Sequence, residues 1–307
     1  MTKIHQSLEL KTLSGETRYL GGTDSNCPVC GSDKKEQAKY LFSPFSIVQC
    51  AQCTTLHLTP LPTPELLSQI YNSNYYHDED LEHGYLDYSA QSTNIKKTYK
   101  RRLRYLKNFL PLNSSPKILE IGCALGFGLS EAVDILGGSI IGCDVSQEAV
   151  ESTKKLGFVA YLSNFYGISQ EILPQSIDVI YAFDVIEHLP NVNLFIDWVK
   201  KVLRPGGILF LTTPDMDHIL NRLLGRRSPS IKIPQHISYF TKSSLKKALS
   251  DGFTLEADAW DFQHVKLDML ISRISHILGM PIVKNEFGPT VLIPNGMRMF
   301  FFRKDKN

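Results

Sequence analysis

The sequence has no apolar run approaching the roughly 18 residues of a membrane-spanning helix. No apolar stretch followed by a cleavage site stands at its N-terminus, so a cytoplasmic, soluble protein is expected. Charge of one sign is also scarce. Lys and Arg number 33 against 31 Asp and Glu, and a net charge of +2 implies no obligate polyanion partner. Only six of the 307 residues are cysteine, and their placement does not suit a secreted disulfide framework: four form two close pairs and two lie in a glycine-rich stretch. Internal repeats and low-complexity segments are missing. The 43% apolar content still suffices for a globular core, and the length suggests about two domains.

What is present is concentrated between Lys117 and Asp144. Lys117-Ile-Leu-Glu-Ile reads as a buried strand, Gly122, Gly126 and Gly128 as a turn, then a helical stretch and a second strand ending at Asp144. That order opens a doubly wound α/β domain, where ligands bind beyond the carboxyl ends of the strands. Glycine lets backbone approach a ligand closely, and an acidic residue ending the next strand can accept bonds from ribose hydroxyls. A nucleoside-containing cofactor is expected. The dinucleotide fingerprint G-x-G-x-x-G is not met, because Ala124 and Phe127 stand where its second and third glycines belong. With no second Rossmann half either, a NAD-dependent oxidoreductase is disfavoured.

The actual pattern from Glu120 to Gly128, E-x-G-x-A-x-G-x-G, resembles motif I of class I S-adenosylmethionine-dependent methyltransferases, with Ala124 replacing the usual middle glycine. The resemblance continues in order through 176–190, through 199–214 with its Pro-Gly-Gly turn, and through His236–Leu245 and Asp251-Gly-Phe253. It implies an α/β fold: a Rossmann-like, seven-stranded, mostly parallel sheet with helices on both faces. Strands are expected near 117–121, 139–143, 158–162, 177–182, 207–212, 253–262 and 297–303, the last antiparallel. It implies S-adenosylmethionine as cofactor, with Gly122, Cys123, Ala124 and Gly126 close to its methionine and ribose portions. By the same resemblance Glu120 supports the loop, Asp144 holds the ribose hydroxyls and Val145 flanks the adenine. Asn164 stands where the family often has an acidic residue for the adenine amino group; it is either an amide contact or a turn residue.

Cys27-Pro-Val-Cys30 and Cys50-Ala-Gln-Cys53 form C-x2-C-x19-C-x2-C, the spacing of a zinc ribbon. Four thiolates leave no open position, so a structural Zn²⁺ is expected, with a short hairpin at 40–48 between the pairs. Such a small segment has little core of its own, and metal would stabilise it. His57 alternates with apolar residues and is expected on a strand face instead of the metal. The resulting division is an N-terminal arm and four-cysteine zinc ribbon over 1–60, a proline-rich linker and helical cap over 61–110, and the cofactor-binding domain over 111–307. The basic helix within 90–110 reads as a solvated face packed on the catalytic domain, with nucleic acid the lesser reading.

Asp184-Val-Ile-Glu187-His188 follows the fourth expected strand, and its i, i+3, i+4 spacing shares one face if the turn is helical. His188 suits a general base near neutral pH. Glu187-His188 also occurs widely in the superfamily as support for the cofactor site. In ubiquinone-pathway O-methyltransferases and small-RNA methyltransferases a similar cluster holds a divalent metal, and here His236 would complete it. His236 is alternatively a base, an acceptor contact or a hydrogen-bonded helix-start residue. Tyr75, Tyr76 and His77 would cap the cofactor site or pack on the core. The function implied is methylation, at oxygen or carbon, of a small-molecule or sugar or polysaccharide-precursor acceptor. The rival readings are a metal-assisted RNA 2′-O-methyltransferase and a non-enzymatic zinc-ribbon adaptor that senses cofactor.

Overall fold

The computed structural model describes residues 26–71, 88–89, 91–112, 114–163, 171–268, 270–271, 275 and 288–306. Asn164, Tyr75, Tyr76 and His77 lie outside them. A hairpin of β1 (Lys35–Phe42) and β2 (Phe45–Cys50) is followed by β3 (Leu56–Thr59), α1 (Pro64–Ile70) and α2 (Ser92–Lys107). The chain then alternates: β4 (Lys117–Ile121), α3 (Phe127–Leu136), β5 (Ser139–Asp144), α4 (Gln147–Lys155), β6 (Val159–Leu162), β7 (Ile177–Phe183), α5 (Val192–Val202) and β8 (Leu203–Pro214). It closes with α6 (Ile219–Leu224), β9 (Ser238–Tyr239), α7 (Lys242–Ala248), β10 (Phe253–Lys266) and β11 (Thr290–Lys304).

The large sheet has seven strands in the order β10-β11-β8-β7-β4-β5-β6. Only β11 runs antiparallel, wedged between β8 and β10. Near-continuous apolar strands such as Ile177–Phe183 are what a sheet covered on both faces requires. Successive side chains divide accordingly. Ile118, Tyr181, Phe210 and Phe301 meet Leu103 and Leu106 of α2 and Leu129 and Ala132 of α3. On the other face, Leu119, Ile180, Leu209 and Phe302 meet Phe195 and Val199 of α5 and Leu245 of α7.

Cys27, Val29, Cys50 and Cys53 belong to that second core. The ribbon therefore buries its metal-side surface against α5 and α7. The Val192 amide donates to the Pro28 carbonyl at 2.8 Å, and Lys247 reaches the Gln52 carbonyl at 2.6 Å. The hairpin is longer than expected, and its sheet is completed from far along the chain: the order is β1-β2-β3-β9, with Leu56 opposite Tyr239 and His57 opposite Ser238. His57 lies on strand β3, fully buried. A third cluster, including Ile47, Leu58, Leu66 and Tyr239, fills the other side of this small sheet.

Candidate active site

After β4 the chain turns through three residues of positive φ: Gly122 at +76°, Ala124 at +46° and Gly126 at +82°. The Gly122 and Cys123 amides both donate to the Cys143 carbonyl on β5, at 2.9 and 3.0 Å. Asp144, next in β5, accepts the Ala124 amide on Oδ2 and the Ser146 amide on Oδ1, each at 2.9 Å. Charge-assisted bonds of this kind fix a carboxylate firmly. A side chain at 122 would press a Cβ to 2.6 Å from Val185, and one at 126 would meet Thr153 and Leu156 at 3.0 Å. A nucleoside cofactor needs bare backbone, a rim carboxylate and an apolar neighbour. The turn, Asp144 and the half-exposed Val145 (55%) supply all three, so the residues present fit S-adenosylmethionine.

Glu120 faces away from that rim, between α2 and α3. Its Oε2 accepts the Tyr181 hydroxyl at 2.9 Å, and a Cβ at residue 128 would lie 2.3 Å from its Oε1. Burial pushes its carboxyl up to about 8. Above the turn, Tyr88 stacks on Phe127 with centroids 5.7 Å apart.

The Gly122–Val185 contact packs the turn after β7 directly on the glycine turn. Ile186–His188 forms a single 3₁₀ turn. Asp184 precedes it with φ +60°, so it does not share a face with Glu187 and His188. It turns instead to Thr212, whose hydroxyl donates at 2.6 Å, and to Arg102 at 3.5 Å; Arg102 in turn binds the fully buried Asp261 at 2.7 Å. Glu187 points inward, accepting the Thr213 hydroxyl at 3.0 Å.

His236 arrives from the segment leading into β9. Its ring meets that of His188 edge-on, centroids 4.6 Å apart. The Ile237 amide donates to the Glu187 carbonyl at 2.7 Å, and the Leu58 amide of the ribbon donates to the Ile237 carbonyl at 2.8 Å. Nδ1 of His188 lies 3.0 Å from the Gln235 carbonyl and 2.8 Å from the Tyr71 hydroxyl. Nδ1 of His236 lies 2.8 Å from the Ser230 carbonyl. A proton on each Nδ1 satisfies these carbonyls and leaves Nε2 as the basic nitrogen. Burial, with Lys232 nearby, lowers His188 to about 4. Burial, the His188 ring and Lys232 hold His236 well below its usual range. Burial and Asp184 raise Glu187 to about 8. Ligand-capable atoms of Glu187, His188 and His236 all lie within 4.8 Å of one another; Asp184 is not in that group. Tyr71 and Arg102 carry no sequence signal for their roles, since their partners lie 117 and 82 residues away.

The four ribbon thiols are free and converge within 4.8 Å, with Sγ–Sγ distances of 3.6 Å (Cys27–Cys53) and 3.5 Å (Cys30–Cys50). A tetrahedron with ~2.3 Å Zn–S bonds has edges of about 3.8 Å, so the cluster fits zinc. The two knuckles match locally: Gly31 and Thr54, each following the second cysteine of its pair, both have positive φ, +72° and +66°.

A family model described as a methyltransferase domain matches residues 94–257, just over half of the chain. The chain belongs to the methyltransferase-domain family. Its motifs and sheet place it among the class I S-adenosylmethionine-dependent methyltransferases, with a four-cysteine segment of zinc-ribbon type attached. It is 30% identical over 151 residues to a ubiquinone biosynthesis O-methyltransferase of Agrobacterium fabrum, covering 44% of this chain and 58% of that protein. It is 29% identical over 139 residues to the enzyme of the same name from Paraburkholderia phymatum, covering 44% and 59%. The chain thus spans under two thirds of these relatives. Among solved structures, a SAM-dependent methyltransferase from Archaeoglobus fulgidus shares the fold with a TM-score of 0.50 at 17% identity, over 72% of this chain and 100% of that one. No helix among the described residues is long and apolar enough to cross a membrane.

Proposed function

We propose that this methyltransferase moves a methyl group from S-adenosylmethionine to a hydroxyl, or an activated carbon, of a small-molecule or sugar-precursor acceptor. One observation carries the reading: Val185 against Gly122 sets the Glu187-His188 turn on the cofactor turn, and His236 joins it from a distant segment. The two relatives, named for O-methylation in ubiquinone biosynthesis, support a small acceptor. S-adenosylmethionine supplies an electrophilic methyl group. The chain's task is to hold both molecules in line, exclude water and take up the acceptor proton. Gly122, Cys123, Ala124, Gly126, Asp144 and Val145 form the cofactor cradle, and Glu120 braces it from below. A neutral imidazole at His188 or His236, with Nε2 basic, serves as proton acceptor, and Glu187 orients the turn. Zinc held by Cys27, Cys30, Cys50 and Cys53 braces the ribbon.

Calorimetry with S-adenosylmethionine and transfer of labelled methyl to a metabolite extract test this. Asp144→Ala is expected to abolish cofactor binding. His188→Ala and His236→Ala are expected to retain it while at least one loses about 100-fold or more in turnover, the usual weight of a general base. Full activity in both histidine variants would remove the base assignment. A second reading has an observation of its own: Glu187, His188 and His236 form a two-histidine, one-carboxylate donor set. Loss of turnover on chelation, reversed by Mg²⁺ or Mn²⁺ with the ribbon zinc intact, would favour it.

A further inference from the structure

We propose that the groove between α2 and the far end of the β10–β11 hairpin is a second ligand site, built for a diphosphate or longer oligophosphate group. The groove measures about 480 Å³ and is lined by Lys97, Lys100, Arg101, Arg104, Tyr105, Asn108, His264 and Leu292. Four of these eight are cations, Tyr105 and Asn108 offer neutral donors, and among the described residues no carboxylate lines it. That composition favours an anion rich in acceptor oxygens, since the four cations can only donate and Tyr105 and Asn108 each add a donor.

Charge is segregated to this place. The helix α2 carries seven Lys and Arg and no acid, while the other 26 basic residues of the chain face 31 acidic ones. A solvated face normally mixes both signs or pairs its charges along the helix. Here Lys100 is tied to Glu131 at 3.2 Å, and Arg101 to Asp261 at 2.8 Å with its guanidinium 5.1 Å from the Phe262 ring centroid. Those partners lie outside the groove and hold the two cations in place. Lys97 and Arg104, both exposed, have no carboxylate partner among the described residues.

His264 faces the same cations, with the Asp261 carboxylate acting on it in the opposite sense. Lys97 and Arg101 add to its burial in lowering its pKa, and its Nδ1 is buried without a hydrogen-bond partner among the described residues. The volume admits a nucleotide-sized molecule and not a duplex. The site adjoins the cofactor turn without forming part of it: Lys96, on the neighbouring face of α2, sits 5.4 Å over the Phe127 ring. The inference is independent of which acceptor is methylated.

The test is titration calorimetry of the zinc-loaded full chain at fixed ionic strength, with inorganic pyrophosphate, UDP, uridine, sulfate and a single-stranded oligonucleotide as separate probes. Saturable 1:1 binding of pyrophosphate or UDP, at least tenfold tighter than sulfate, is expected. Lys97→Ala and Arg104→Ala should each weaken it about tenfold, the loss of one charge-assisted contact, while the distant Arg226→Ala changes nothing. Retained S-adenosylmethionine binding in all three variants shows that they fold. UDP binding tighter than pyrophosphate, with uridine silent, assigns a nucleotide source; equal binding assigns a free oligophosphate. Absence of saturable pyrophosphate and UDP binding, binding indifferent to Lys97 and Arg104, or binding by the oligonucleotide alone would each overturn the proposal.

Discussion

Gly128 and Glu120 constrain one another. The carboxyl fills the space a side chain at 128 would occupy, so Gly128→Ala forces overpacking of a buried group and is expected to cost about 1–3 kcal/mol in urea unfolding. Glu120 has a further, pH-dependent consequence. Its folded pKa of about 8 lies above the ordinary 4.5, so between these values the folded chain keeps a proton that the unfolded chain has lost. Its contribution is fully present below pH 4.5 and disappears as pH rises through about 8, with a slope of at most about 1.4 kcal/mol per pH unit. Glu120→Gln should flatten the fall of stability between pH 5 and 8; an unchanged slope would show that other groups set it. Ala124 holds a backbone angle that favours glycine. Ala124→Gly is expected to raise stability by up to about 1 kcal/mol, the relief of left-handed strain less the entropy of glycine.

At the scale of elements, the ribbon and the Glu187-His188 turn form one hydrogen-bonded path, from Leu58 through Ile237 to Glu187. Cys50→Ser is therefore expected to lose zinc and also to speed amide exchange at Ile237 and Leu58, measured by mass spectrometry, with exchange at β4 and β7 unaffected. Equal protection at Ile237 would separate the two elements. The strands of the large sheet were legible in sequence because buried parallel strands are written as short apolar runs bounded by glycine and proline; β4, β5, β6 and β7 match their expected bounds to within a residue, while β8, β10 and β11 overlap theirs and run several residues longer. The paired-cysteine spacing and Glu187-His188 were legible because they are local. The two-residue strand β9 was not, because nothing in Ser238-Tyr239 names a partner 180 or so residues upstream. The same holds for Tyr71 on His188 and for Arg102 between Asp184 and Asp261. Asp184 misled for a different reason: helical spacing assumes helical φ, and the observed +60° breaks it.

For the whole molecule, the near-neutral total charge conceals a polarised surface, with the cations of α2 set against an otherwise acidic chain. The cross-chain completion of the small sheet matters before the molecule is finished. During synthesis β3, with its apolar Leu56 and Leu58, is made about 180 residues before β9, a delay of roughly 10–35 s at ordinary elongation rates. Through that interval the strand's outer edge is a template for any passing extended peptide. A nascent chain stalled short of residue 238 should bind zinc yet associate readily with hydrophobic strands or chaperones, and this stickiness should vanish once Ser238 and Tyr239 clear the ribosome.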